Sequence, residues 1–287
     1  MYNLVKNELF KIFKQKKLYI CGVMILVVLA ISIASAIMTQ SASSGSGNLL
    51  VGSESADLSS QVTGQNFPIS MISSISTVLV IYIVILLGDI MADEYKNGTL
   101  KLTLLGPVSR SKVVMAKAIA LFLSISTLIV FTLITSYIAG SIFFDWGSGF
   151  NVISYQTTYA GEMTAANFAL SAVSGILVTA GAFLLTILPY FSFGMIVYFL
   201  STLISNMGAV IGASLGTWIS MSLVGMVFPK ITPYLITSYF NFYNEFLRSS
   251  KDFDMRSIAT GSLVIVLTGA LFLGLSIFTI RKKDILA

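Results

Sequence analysis

Residues 67–91 read FPISMISSISTVLVIYIVILLGDIM, and Asp89 is the only charged side chain in this run. The hydrocarbon core of a bilayer is about 30 Å thick and a helix rises about 1.5 Å per residue, so roughly 20 apolar residues cross it. Of all residues, 56% are hydrophobic and 10% are charged, whereas a soluble domain has about 25% charged residues. The sequence therefore predicts an all-α integral membrane protein.

Six runs have the length of a membrane span. They cover residues 18–40, 67–92, 116–144, 169–204, 209–228 and 258–280. We interpret the fourth run, which contains Pro189, as one kinked span, with a helix plus a re-entrant piece as the alternative. The transmembrane domain is thus residues 18–287, with external loops at 41–66, 145–168 and 229–257 and a loop on the other side at 93–115.

Lysine and arginine are concentrated on one side of these spans. Thirteen flank the spans on the side of both termini, with Lys117 counted among them, against four on the opposite side. Cytoplasmic flanks carry such an excess, so both termini are predicted to lie in the cytoplasm. The net charge of +5 then describes flanks that meet anionic lipid headgroups, and we expect no nucleic-acid partner.

Residues 1–17 have the pattern of an amphipathic interfacial helix that precedes the first span. Lysines lie opposite an apolar face that would enter the lipid boundary, and this face is formed by Tyr2, Val5, Leu9, Ile12 and Phe13. A basic leader that only sets topology is the alternative. A second alternative is a signal peptide that is cleaved near Ala34-Ser35-Ala36.

Several kinds of chemistry lack the residues that they need. The chain has no histidine and one cysteine, Cys21, which excludes histidine-based triads, zinc sites of the usual type and an internal disulfide. It also lacks the G-x-x-x-x-G-K-[ST] phosphate loop. We expect a chain that is not an enzyme, with no catalytic residue, metal or cofactor of its own.

The loop at 93–115 contains helix start and stop signals. Asn97-Gly98 favours a turn, Thr99 can cap a short helix, Gly106-Pro107 can end it, and Ser109 can cap the helix of the third span. The pattern predicts a short helix on the cytoplasmic surface. A solvated basic loop that only fixes topology is the alternative.

This loop resembles that of the ABC-2 type transporter permeases, including the antimicrobial-peptide, bacitracin and lantibiotic permeases. The resemblance rests on Glu94, Gly98, Thr99, Leu104 or Leu105, Pro107, Val108, Ser109, Arg110 and Lys117. It implies a bacterial plasma-membrane protein in which two permease subunits, identical or different, act with two cytoplasmic ABC ATPase subunits that bind ATP and magnesium. It also implies that the loop is a coupling helix, formed by Glu94, Tyr95, Gly98, Thr99, Lys101, Leu104, Leu105, Pro107, Ser109 and Arg110.

The function that this resemblance implies is ATP-driven export of a hydrophobic or amphipathic substrate, with a peptide and antimicrobial resistance as the expected case. An ion-coupled secondary transporter and a non-transporting scaffold or sensor are the alternatives. Asp89 is the one carboxylate inside an apolar run, and it is either a capping group near the coupling loop or a proton or substrate group.

Two further patterns concern packing and substrate exit. Gly208, Gly212 and Gly216 recur every four residues, which predicts close helix packing, either within the chain or between two copies. An aromatic cluster precedes the last span and is either part of a substrate exit or an interfacial anchor belt. It comprises Tyr239, Phe240, Phe242, Tyr243 and Phe246.

Overall fold

A computed structural model describes residues 2–45, 62–96, 109–146, 150–157, 163–170, 172–243 and 255–282. Its helices are α1 (Tyr2–Lys14), α2 (Lys16–Gly45), α3 (Phe67–Lys96), α4 (Arg110–Phe143), α5 (Ala172–Leu203), α6 (Met207–Val227) and α7 (Met255–Lys282), and its strands are β1 (Phe150–Thr157) and β2 (Met163–Leu170).

Helices α2 to α7 are each long and apolar enough to cross a membrane. They coincide with the six predicted runs, so the prediction of six membrane-spanning helices is confirmed. The agreement has a simple cause, because the length of an apolar run is a local property of the chain. The chain is a multi-pass membrane protein.

The helix ends differ from the predicted span ends in two informative places. Helix α4 begins at Arg110, well before the apolar run does, so its first turns carry polar residues. Helix α5 is continuous from Ala172 to Leu203 with Pro189 inside it. Residues 169 and 170, predicted to belong to this span, instead end strand β2.

An antiparallel hairpin occupies most of the predicted loop 145–168. Strand β1 pairs with β2, with Phe150 opposite Leu170 and Thr157 opposite Met163. The sequence analysis predicted no strand here, because a short two-stranded ribbon has only a weak sequence pattern. The hairpin lies between α4 and α5, so the membrane-crossing part of the described chain is helical.

Side-chain contacts give the directions of the helices. Helices α5 and α7 run parallel, because the Ser192 hydroxyl donates to the Ile265 carbonyl at 2.7 Å and the rings of Phe199 and Phe272 lie 5.7 Å apart. Helix α4 is antiparallel to both, since its first residue, Arg110, contacts the last turn of α7. The start of α4 and the ends of α5 and α7 therefore lie together. We call this region, together with α1, the basic end.

The core lies around α3 and α5, the two most buried spans, whereas α6 and α7 are the least buried. Three helices meet where Gly194 of α5 faces Leu121 of α4 and Ile83 of α3. A Cβ atom at Gly194 would lie 2.8 Å from Leu121 Cδ2. A side chain here would push apart the helices that form the centre of the bundle.

At the end opposite the basic end, two backbone segments touch directly. A Cβ atom at Gly140 of α4 would lie 2.7 Å from the carbonyl oxygen of Gly64. The Gly64 amide also donates to the Asp145 carbonyl at 2.9 Å, and the rings of Phe67 and Phe144 lie 5.2 Å apart. This contact fixes the start of α3 against the end of α4.

We expect Gly140→Ala to lower the stability of the protein by about 1–3 kcal/mol, because the new methyl group overlaps backbone that cannot rotate away. Thermal unfolding of the detergent-solubilised protein measures the change. Gly212→Ala is the matched control, since a Cβ atom there meets nothing within 4 Å. Equal unfolding temperatures for the two variants would contradict the packing described.

Candidate functional site at the basic end

Helix α1 is attached to α4 by an ion pair. The Nζ atom of Lys117 lies 3.2 Å from Oε2 of Glu8, and the two side chains are 1% and 12% exposed. Among the side chains that the structure describes, Lys117 is the only charged one that is fully buried. An ammonium group in such a position requires a nearby anion, and Glu8 supplies it.

Glu8 serves a second lysine as well. Its other oxygen, Oε1, lies 3.2 Å from Nζ of Lys11, whose side chain is 54% exposed. One carboxylate thus bridges a buried cation and a solvent-facing one. The Glu8–Lys11 contact lies within α1 and is screened by water, so of the two lysines only Lys117 connects α1 to α4. Ile12, one turn after Glu8, is also buried.

A second polar contact joins the beginning of α4 to the end of α7. The Arg110 Nη1 group donates to the carbonyls of Ile280 at 3.4 Å and Arg281 at 3.3 Å. The Nε atom of Arg281 donates in return to the Ser111 hydroxyl at 2.9 Å. The last carbonyls of a helix lack intrahelical partners and carry partial negative charge, so a guanidinium group is a fitting ligand for them.

The segment predicted to form the coupling helix precedes these contacts in the sequence. Residues 97–108, which include Gly98, Thr99, Lys101, Leu104, Leu105 and Pro107, lie outside the described residues. The backbone of Asp89, Glu94 and Tyr95 belongs to the last turns of α3, and their side chains are likewise outside the description. Of the predicted coupling residues, Ser109 and Arg110 are placed at the basic end.

Ser109 occupies the position before α4 with an extended backbone, but its hydroxyl makes no capping hydrogen bond. The predicted side-chain cap is therefore wrong. Its carbonyl oxygen accepts from the Lys112 amide at 2.9 Å, so the first turn of α4 closes through the backbone.

Helix α1 covers the residues predicted to form an interfacial helix, but the apolar residues of that prediction do not share one environment. Ile12 is buried, Val5 and Leu9 are half-buried, and Tyr2 and Phe13 are exposed. The sequence pattern places all five on one face of the helix. Because α1 packs on α4, part of that face contacts protein and the rest stays exposed.

The ion pair itself was missed by the sequence analysis, which counted Lys117 among the flanking residues and did not single out Glu8. Two signals were available. Glu8 is the only acidic residue among the first 17, and Lys117 lies inside the apolar run of the third span. A lone acid near a basic helix and a lone cation in an apolar run need partners.

The three regularly spaced glycines of α6 do not approach another helix within the chain. A Cβ atom at Gly212 or Gly216 meets nothing within 4 Å, and at Gly208 it meets only the Asn206 side chain. That side chain caps α6 by accepting from the Gly208 amide at 2.9 Å. Of the two predicted alternatives, packing of these glycines within the chain is not observed among the described residues, where α6 contacts α3 through Ile211 at Gly88 instead.

Four aromatic residues before α7 are buried and do not form a surface belt, namely Tyr239, Phe240, Phe242 and Tyr243. Two short 3-10 helices, Thr232–Tyr234 and Ile236–Tyr239, turn this segment inward. Phe240 stacks on Tyr190 of α5 with ring centroids 4.7 Å apart. Phe242 and Tyr239 pack where Gly261 of α7 leaves room.

The substrate-exit hypothesis named five aromatic residues of this segment. Tyr239, Phe240, Phe242 and Tyr243 are buried within the chain, and Phe246 lies outside the described residues. Burial raises the pKa of Tyr243 to about 12, so its hydroxyl stays neutral at physiological pH. The cluster closes the end opposite the basic end.

Residues 52–286 match a protein family described as "Protein of unknown function (DUF2705)". The chain belongs to the DUF2705 family. No curated protein matches it. The assignment to the ABC-2 permeases is wrong, because the matching family is DUF2705 and its match includes the Glu94–Lys117 pattern on which that assignment was based. Turn and cap residues between two spans are a pattern that helix termini require generally.

In this DUF2705 protein we expect Glu8→Gln to be strongly destabilising, by about 3 kcal/mol, because it leaves the buried Lys117 ammonium facing a neutral amide. The double variant Glu8→Gln/Lys117→Met should recover most of this loss. Thermal unfolding in detergent, analysed as a double-mutant cycle, measures the coupling.

Lys11→Met is the control, since it removes the exposed lysine that shares the same carboxylate, and we expect a loss below about 1 kcal/mol. A double variant that is no more stable than Glu8→Gln alone would show that the Glu8–Lys117 pair does not attach α1.

Proposed function

We propose that this DUF2705 protein is the membrane-spanning subunit of an ATP-driven exporter whose ATP hydrolysis takes place on a separate cytoplasmic chain. The observation that carries this proposal is the set of polar contacts that joins α1, α4 and α7 at the basic end. The proposal rests on no permease family.

A transport subunit that is driven by another chain needs a region where the movement of that chain is transmitted to several of its own helices. Residues 97–108 connect the end of α3 to the start of α4. A displacement of this segment would act directly on Arg110, which is bonded to α7, and through α4 on Lys117, which holds α1. Elements tied in this way move together more readily than independent helices.

The sequence supports a division of labour between two chains. It contains no phosphate-binding loop and no histidine, so the proposal assigns ATP and magnesium to the partner. The excess of Lys and Arg around the basic end favours a cytoplasmic location for it, where such a partner would have access.

The interior of the bundle favours a hydrophobic or amphipathic cargo, such as a peptide. Among the described side chains, the only buried charge is Lys117, and Glu8 faces it at 3.2 Å. A highly charged cargo would need groups inside the membrane to compensate its charge. The buried polar groups are instead mainly the hydroxyls of serine, threonine and tyrosine side chains.

The proposed partner is testable by replacing both Lys101 and Leu104 with Asp in the affinity-tagged full-length chain. We expect the wild-type chain, purified from its native membranes, to carry an ATP-hydrolysing chain that the double variant loses, because two new carboxylates would disrupt a basic and apolar contact. ATP hydrolysis and mass spectrometry of the eluate measure the loss.

The matched control replaces Lys230 and Tyr234 with Asp. Both are exposed and lie beyond the end of α6, on the side away from the basic end. The control should retain the ATPase. If neither wild type nor control brings one down, and the purified chain alone moves peptide across vesicles on an ion gradient without ATP, the secondary-transporter alternative replaces this proposal.

The orientation can be tested separately with single cysteines at positions 282 and 230 in a Cys21→Ala background. We expect a membrane-impermeant maleimide added to intact cells to label position 230 at once and position 282 only after permeabilisation, since the basic end should face the cytoplasm. The opposite pattern would show that the basic end faces outward.

A further inference from the structure

A groove of about 370 Å³ lies between the last turns of α5 and α7 at the basic end. It is lined by Thr202, Leu203, Phe278, Thr279 and Lys282. The exposed surface of its walls is mainly apolar, and its one cation, Lys282, sits over the Phe278 ring with Nζ 4.4 Å from the centroid.

The groove opens outward from the helix bundle. Leu203 is 50% exposed and Phe278 is 56% exposed. The described residues therefore leave both the Leu203 side chain and the Phe278 ring uncovered. Helices α5 and α7 run parallel with Phe199 beside Phe272, so Leu203 lies about level with Ser276 and α7 continues about 9 Å further, to Lys282. The walls of the groove change along this distance from apolar residues to Lys282. Along a membrane-spanning helix, such a change marks the boundary between hydrocarbon and headgroups.

We infer that this groove binds one anionic phospholipid, with its phosphate near Lys282 and an acyl chain against Leu203 and Phe278. The chemistry of the walls specifies both parts of the ligand. A free phosphate would leave the apolar walls exposed, and a zwitterionic lipid brings its own cation close to the lysine. Cationic side chains beside membrane helices attract anionic headgroups in this manner, and Lys282 is the cation of this groove.

The position of the groove gives such a lipid a structural consequence. Its α7 wall is the same helical turn whose carbonyls accept hydrogen bonds from Arg110. A bound lipid would therefore fill the space between α5 and a turn that is already bonded to α4. This inference does not depend on the proposed transport function.

The test uses the full-length protein in mild detergent and native mass spectrometry with phosphatidylglycerol and phosphatidylcholine of identical acyl chains. We expect the wild type to bind phosphatidylglycerol more tightly. Lys282→Gln should weaken that binding about fivefold, the effect of removing one cation near a headgroup, and Lys282→Arg should retain it. Leu203→Trp should weaken binding of both lipids by filling the apolar part of the groove.

Lys14→Gln is the matched control. Lys14 also lies over an aromatic ring, that of Phe10, at 5.6 Å, but it is on α1 and lines no part of this groove. We expect the Lys14→Gln variant to bind phosphatidylglycerol as tightly as the wild type does. Circular dichroism verifies that each variant keeps its helix content.

Four outcomes would overturn the inference. Equal weakening by Lys14→Gln and Lys282→Gln would mean diffuse attraction to a charged surface. Unchanged binding by Leu203→Trp would place the lipid elsewhere, and equal affinity of the wild type for the two lipids would remove the anionic preference. Displacement of phosphatidylglycerol by millimolar inorganic phosphate would show that the acyl-chain contact contributes nothing.

Discussion

The arrangement of the basic end depends on one constraint, which is that the Lys117 ammonium is almost completely removed from solvent. Burying an unpaired charge costs several kcal/mol, so the fold must bring an anion to α4. Glu8 is that anion, and bringing it there draws α1 onto the bundle. An amphipathic segment that could lie on lipid alone is thereby made part of the protein.

The two ends of the bundle are held by different kinds of contact. At the basic end, guanidinium, ammonium and carboxylate groups join α1, α4 and α7. At the other end, glycine backbones touch and the inward-turned 232–243 segment stacks on Tyr190. Two of the polar contacts at the basic end, Arg110–Arg281 and Arg281–Ser111, are exposed to solvent, whereas the glycine contact leaves no space between two backbones.

The sequence patterns that gave wrong predictions have a common physical cause. Gly208, Gly212 and Gly216 offer a smooth helix face, but a smooth face does not determine which helix will pack on it, and within the chain none does. The aromatic run before α7 has the composition of an interfacial belt, yet its rings fill space that Gly261 leaves open. The turn and cap residues between α3 and α4 are those that any pair of helices needs, and they do not distinguish one family from another.

By itself, the sequence determined the six membrane-spanning helices, because the length and composition of an apolar run are set by residues that are near each other in the chain. Only the tertiary structure decided which groups pair. Glu8 and Lys117 are 109 positions apart and Arg110 and Ile280 are 170 apart, and their meeting depends on the directions and neighbours of whole helices. A charged side chain needs a partner when it is buried, and which of the charged side chains are buried is a property of the packed bundle.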